Sequence, residues 1–104
     1  MLSAVPTIEF AAELWEHDGP GAWHFVTVPE EPSEDIRLSG AEPAGFGSYK
    51  VEATLGTSVW RTSVFPDNSS QGFVLPVKKA VRTAEGIGAG DVVRVRIEVI
   101  GSAY

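Results

Sequence analysis

Residues 72–99 read GFVLPVKKAVRTAEGIGAGDVVRVRIEV, and the order of periods within them decides the fold. Phe73, Val74 and Leu75 form a short apolar run suited to a buried strand. Pro76 closes that run, because proline cannot donate to a ladder. A helical period follows, with Val77, Ala80, Val81, Ala84 and Ile87 on one stripe and Lys78, Lys79, Arg82 and Glu85 on the other face. Gly86 is placed to stop the helix in a left-handed conformation, with Ile87 packing back on the last turn. Gly88-Ala89-Gly90-Asp91 is a turn. The period then becomes two, so that Val93, Val95, Ile97 and Val99 share one strand face and Arg94, Arg96 and Glu98 the other. So few residues separate helix and strand that the helix must lie against the sheet.

Working outward, residues 7–18 alternate. Ile8, Phe10, Ala12 and Leu14 face one way, and Glu9, Ala11, Glu13 and Trp15 the other. A tryptophan on the outer face marks a contact surface or a second layer of the barrel. His17-Asp18-Gly19-Pro20-Gly21 is a turn by composition. Residues 22–28 form a second strand, apolar on both sides and therefore central. Residues 29–38 carry prolines and carboxylates early, which suits a helix N-terminus beginning at Pro29 or capped by Ser33, with Ile36 as anchor. Residues 39–47 are a loop, 49–55 and 58–65 are strands around the turn Gly56-Thr57, and 66–71 are a polar loop.

The order repeats. A strand, a helix after a proline and a strand occur from Phe25 to Leu55 and again from Phe73 to Val99. One such half would leave an open edge and half a core, and a second copy closes both. The expectation is a mainly β fold: a small closed six-stranded barrel with two short helices and an internal duplication. It forms one domain over 1–104, with flexible ends at 1–6 and 100–104.

Two resemblances attach to particular residues. Pro76, the short basic helix, Gly86-Ile87 and Gly90-Asp91-Val92-Val93-Arg94-Val95 resemble half of the swapped-hairpin AbrB-type barrels of bacterial regulators and antitoxins. Four stretches together resemble the bacterial and archaeal "domain of unknown function 1905" family across roughly residues 7–99. They are Trp23 to Pro29, Gly45-Phe46-Gly47, Trp60 to Pro66 and Leu75 to Arg82. The second resemblance implies a single-chain, double-split β-barrel and no established activity. Family members are sometimes fused to a domain associated with bacteriocin protection, which implies a partner or pathway without fixing chemistry.

Composition narrows the classes. The chain has 104 residues, enough for one core. It has no cysteine, which removes disulfides, thiolate metal sites and cysteine nucleophiles. The opening residues do not read as a signal peptide, and no apolar run reaches membrane-spanning length, so a cytoplasmic, non-membrane protein is expected. The net charge is -6 but uneven. Residues 1–52 hold ten acidic and two basic side chains, whereas residues 53–104 hold four acidic and six basic. A polyanion is repelled by the whole and attracted only locally.

The candidate ligand-binding residues are Lys78, Lys79, Arg82, Arg61, His24 and Trp60. Lys78, Lys79 and Arg82 share a polar helix face near its start and suit an anion or phosphate, unless they are a merely solvated face. Arg94 and Arg96 would join them if the last strand's outer face adjoins. Arg61, beside Trp60, either pairs with a carboxylate or simply points outward. His24 is either a base or, more in keeping with its apolar strand, a hydrogen-bonded structural residue. Trp15, Trp23, Trp60, Phe25, Phe65 and Phe73 either line a pocket at the barrel mouth or fill the core. No nucleotide-loop, Walker or nucleophile-elbow pattern occurs, and His17 with Asp18 lacks metal-ligand spacing.

The reading that follows is a non-catalytic binding domain for a small anion or a protein partner, acting as a monomer without cofactor or metal. The alternatives are an AbrB-like DNA-binding domain, which the acidic balance opposes, and a small enzyme without a recognisable motif.

Overall fold

The computed structural model describes residues 7–101. The expected flexible ends fall largely outside these residues, at 1–6 and 102–104; Ile100 donates its N–H to the Lys50 carbonyl at 2.9 Å. The elements in order are β1 (Ile8–Glu16), β2 (His24–Val28), α1 (Glu30–Arg37), β3 (Tyr49–Leu55), β4 (Ser58–Asp67), β5 (Gly72–Pro76), α2 (Lys79–Glu85) and β6 (Val92–Val99). A single 3₁₀ turn, Gly45–Gly47, precedes β3.

The six strands close into a barrel in the order β1-β2-β5-β4-β3-β6, with every pairing antiparallel. Closure leaves no free sheet edge. Exchanging β1, β2 and β3 for β4, β5 and β6 leaves this circular order unchanged, so the topology has the symmetry that the repeated strand-helix-strand order implies. The two halves meet along four pairings: β2 with β5, through Val26 opposite Leu75, β3 with β6, through Ala53 opposite Ile97, and also β3 with β4 and β1 with β6.

Alternation sorts the side chains as the sequence requires. Ile8, Phe10 and Leu14 of β1, Val51 and Ala53 of β3 and Val93, Val95, Ile97 and Val99 of β6 are buried inside. Each of these Val, Leu, Ile and Phe side chains contributes about 1.5–3 kcal/mol by leaving water, and Ala53 less. Arg94 and Arg96 point outward. On the outside of β1 and β2, Trp15 lies 5.2 Å from Phe25, and Phe25 lies 6.2 Å from Trp23, making a short aromatic ladder. Trp15 Nε1 donates to Thr27 Oγ1 at 3.0 Å.

At α1 the structure selects one of the two expected starts, and at β4 and β2 the boundaries differ from expectation. α1 takes Pro29 as its N-cap; Ser33 lies inside the helix, buried, and its hydroxyl donates to the Val28 carbonyl at 3.1 Å. β4 runs past Phe65 to Asp67, with Pro66 opposite Phe73, because a proline near a strand end removes one donor without ending the pairing. β2 begins at His24, since Ala22 takes a left-handed φ of 48°.

α2 ends at Gly86, which is left-handed with φ 65°, as its position requires. The anticipated stripe is narrower than its period suggests. Val77 and Val81 are buried and Ile87 half-buried, but Ala80 and Ala84 are exposed. The helix rests on β4 along one edge and leaves its small residues to solvent. Its supposedly solvated face is partly docked instead. Glu85 accepts hydrogen bonds from Ser58 Oγ at 2.7 Å, Thr57 Oγ1 at 3.2 Å and Thr57 N at 3.3 Å, tying α2 to the β3–β4 turn.

Candidate functional site

A cleft of about 450 Å³ opens where the start of β2, the middle of β4 and the start of α2 meet. Lys78, Lys79, Arg82, Arg61, His24 and Trp60 all line it. Three separate stretches of sequence are brought together because β4 and β2 flank β5, and α2 follows β5 directly. Trp23, Phe65, Pro76 and Val77 add apolar wall.

Each side chain has a distinct setting. Trp60 is a core residue, 7% exposed, and presents the edge of the barrel interior to the cleft. Arg61 points outward, as alternation along β4 demands, and its Nε lies 3.7 Å from Glu52 Oε2 on the neighbouring strand. Arg82 is half-buried and donates from Nε to the Val77 carbonyl at 3.1 Å, which fixes its guanidinium over the helix start. Lys78 and Lys79 are exposed and make no ion pair among the described residues. His24 is half-buried, and its Nδ1 lies 2.8 Å from the Ala22 carbonyl. A carbonyl only accepts, so Nδ1 carries the proton and neutral His24 keeps Nε2 as an acceptor.

The electrostatics are one-sided. Four of the chain's eight Lys and Arg side chains line this cleft, and none of its fourteen Asp and Glu side chains does. α2 spans only seven residues, so the positive charge of the recess comes from these side chains and not from the helix end. Cations gathered in a recess focus the field on a small anion even though the molecule as a whole is acidic.

Arg94 and Arg96 do not join the cluster. They lie on the outer face of β6, beside β1 and β3, where Arg96 Nε is 3.5 Å from Glu9 Oε2 over a separate hollow of about 250 Å³. The barrel order separates them: β6 and β4 are never neighbours. A further hollow of about 480 Å³ lies between Arg37, Tyr49, Phe73 and the β4–β5 turn. Its charges are already satisfied. Arg37 pairs with Glu34 at 3.0 Å, donates to the Gln71 carbonyl and stands 5.2 Å over the Phe73 ring. Asp67 accepts from the Ser69 and Ser70 hydroxyls; that of Ser70 above all, with Ser69 adding, holds its carboxyl below the usual range. Among the described residues no three His, Asp or Glu side chains gather to hold a metal, and His17 packs edge-on to Phe25.

The six aromatic candidates divide by function. Phe73 and Trp60 belong to the core, Trp15 and Phe25 to the outer ladder, and Trp23 and Phe65 to the cleft wall. The contributions of Gly21 and Ala22 were hidden in the sequence, since a turn's composition does not reveal which backbone atoms face a recess.

A closed six-stranded antiparallel barrel of two topologically equivalent halves, carrying one basic, aromatic-walled cleft, defines the class of this protein. Residues 10–97 match the family described as "Domain of unknown function (DUF1905)", and the chain belongs to that family. No protein with a curated description matches it. No helix among the described residues is long and apolar enough to cross a membrane.

Proposed function

We propose that this domain is a non-catalytic binding module that takes a small anionic ligand in the cleft lined by His24, Trp60, Arg61, Lys78, Lys79 and Arg82. One observation carries this reading: half of the chain's basic side chains line a recess that no carboxylate lines, in a protein of net charge -6. Lys78 and Lys79 are the adaptable donors, and Arg82, held by the Val77 carbonyl, is the fixed one. The recess favours a small molecule over a flat protein surface. The sequence pI of about 4.7 works against a long polyanion such as duplex DNA. His24 has a backbone carbonyl behind it and not a carboxylate, which suits a hydrogen-bonding role better than general-base catalysis.

The test is titration calorimetry with phosphate- and carboxylate-bearing metabolites, backed by thermal shift. A ligand at about a hundred times its Kd adds about 2.7 kcal/mol of stability. Lys78→Ala/Lys79→Ala is expected to abolish the gain while leaving the unliganded Tm in place, because both side chains are exposed. Undiminished binding by the double variant would remove the cleft as the site.

A further inference from the structure

The wall of the cleft beside the cations is built from the β1–β2 turn. The β1–β2 turn is closed by His17 N donating to the Trp23 carbonyl at 2.7 Å. Within it Gly19, Gly21 and Ala22 have φ of 143°, 95° and 48°. A left-handed alanine costs of order 1 kcal/mol or more, and such residues gather where geometry serves function. Here the geometry serves an indole. A Cβ on Gly21 would stand 2.8 Å from Cδ1 and Nε1 of Trp23, so the ring lies directly on bare backbone. Trp23 is still 56% exposed, and the nearby Phe65 is 40% exposed. The same turn's Ala22 carbonyl accepts from Nδ1 of the cleft-lining His24, so in the neutral ring Nε2 is the nitrogen left to accept. A flat aromatic surface, a hydrogen-bond acceptor and a group of cations thus share one recess.

We infer that the ligand is a planar aromatic ring joined to a phosphate monoester, with a free nucleoside monophosphate as the simplest molecule carrying both. This rests on the anion-binding reading above and adds the ring. The ring stacks on Trp23, a contact open to any base because every base has a π-face. The phosphate lies among Lys78, Lys79 and Arg82, where a dianion relieves the repulsion between cations more than a monoanion would and offers several acceptor oxygens. His24 Nε2 accepts from a ring amino group or a sugar hydroxyl.

The experiment is calorimetry on the whole chain with the four common nucleoside monophosphates, adenosine, ribose 5-phosphate and a 5′-phosphorylated hexanucleotide. At least one monophosphate is expected to bind about tenfold or more tighter than either adenosine or ribose 5-phosphate. Trp23→Ala is expected to bring that monophosphate down to the level of ribose 5-phosphate, whose own binding stays unchanged, and Trp23→Phe to restore most of the difference. Ribose 5-phosphate binding as tightly as every monophosphate would overturn the ring and leave the anion site standing. Adenosine binding as tightly would overturn the phosphate. If no phosphate bound, this inference would fall, while the anion reading would stand or fall on the carboxylate-bearing metabolites. A hexanucleotide bound as tightly as the monophosphate would overturn the free nucleotide in favour of a strand end.

Discussion

Gly56 stands at the β3–β4 turn with φ 62°, and a methyl group there would fall 1.9 Å from Glu85 Oε1. Gly56→Ala therefore strains the turn and pushes the Glu85 carboxylate off its donors. A loss of about 1–2 kcal/mol is expected for the backbone alone, measurable by urea unfolding. The same carboxylate gives the molecule an acid-side sensitivity. The hydroxyls of Ser58 above all, and then of Thr57, hold Glu85 below the ordinary glutamate value, as Ser70 and Ser69 hold Asp67 below that of aspartate. The unfolded chain then binds protons before the folded one does, so stability rises with pH across this window. The contribution is complete above the ordinary carboxyl values near pH 4 and is lost as the pH falls through the lowered ones. Tm measured from pH 6 to pH 2 should fall less steeply for Glu85→Gln than for the parent chain. Equal slopes would mean that the Ser58 and Thr57 contacts do not persist in solution.

At the scale of elements, α1, β2 and β5 meet at a close junction. Ser33 reaches back to the Val28 carbonyl, and Gly72 opposite leaves the room for it: a Cβ there would be 2.6 Å from Ser33 Oγ and 3.2 Å from Val28 O. Gly72→Ala should cost about 1–3 kcal/mol by overpacking. Ile36→Ala, which empties the fully buried anchor of α1, should cost about 2–5 kcal/mol. Both are read from chemical unfolding with an unchanged m-value. The strands were legible in advance because a period of two and a buried face leave one register, as β6 shows with Val93, Val95, Ile97 and Val99. α2 was legible in place but not in depth. The period of Ala80 and Ala84 is helical, yet an alanine carries too little apolar surface to decide which way a helix leans. Ser33 likewise reads as a cap by type, and only the position of Val28 O makes it a clamp.

For the whole molecule, barrel order did what local sequence could not. It brought His24, Trp60, Arg61 and the start of α2 to one recess and left Arg94 and Arg96 elsewhere, although Arg94 is nearer to Arg82 in sequence than Arg61 is. Residue types alone marked the basic group, but chain separation gave no hint of which cations would meet. An anion held there by exposed lysines should respond to salt, because the screening length shrinks from about 10 Å at 0.1 M to about 3 Å at 1 M. Several-fold weakening of a phosphate ligand between 0.05 and 0.5 M NaCl is expected by calorimetry. A constant Kd would point to a binding mode that does not depend on Lys78 and Lys79.

The two helices hold exchange-related places in the barrel, yet α1 bears Glu30, Glu31, Glu34 and Asp35, whereas α2 and its cap bear Lys78, Lys79 and Arg82. Two identical half-barrels meeting as separate chains would have to repeat every side chain and so present a pair of matching recesses. Joining the halves in one polypeptide lifts that obligation. The consequence, on the proposed reading, is stoichiometric: such a molecule has a front and a back, and one anion would be held per chain where a symmetric pair would hold two.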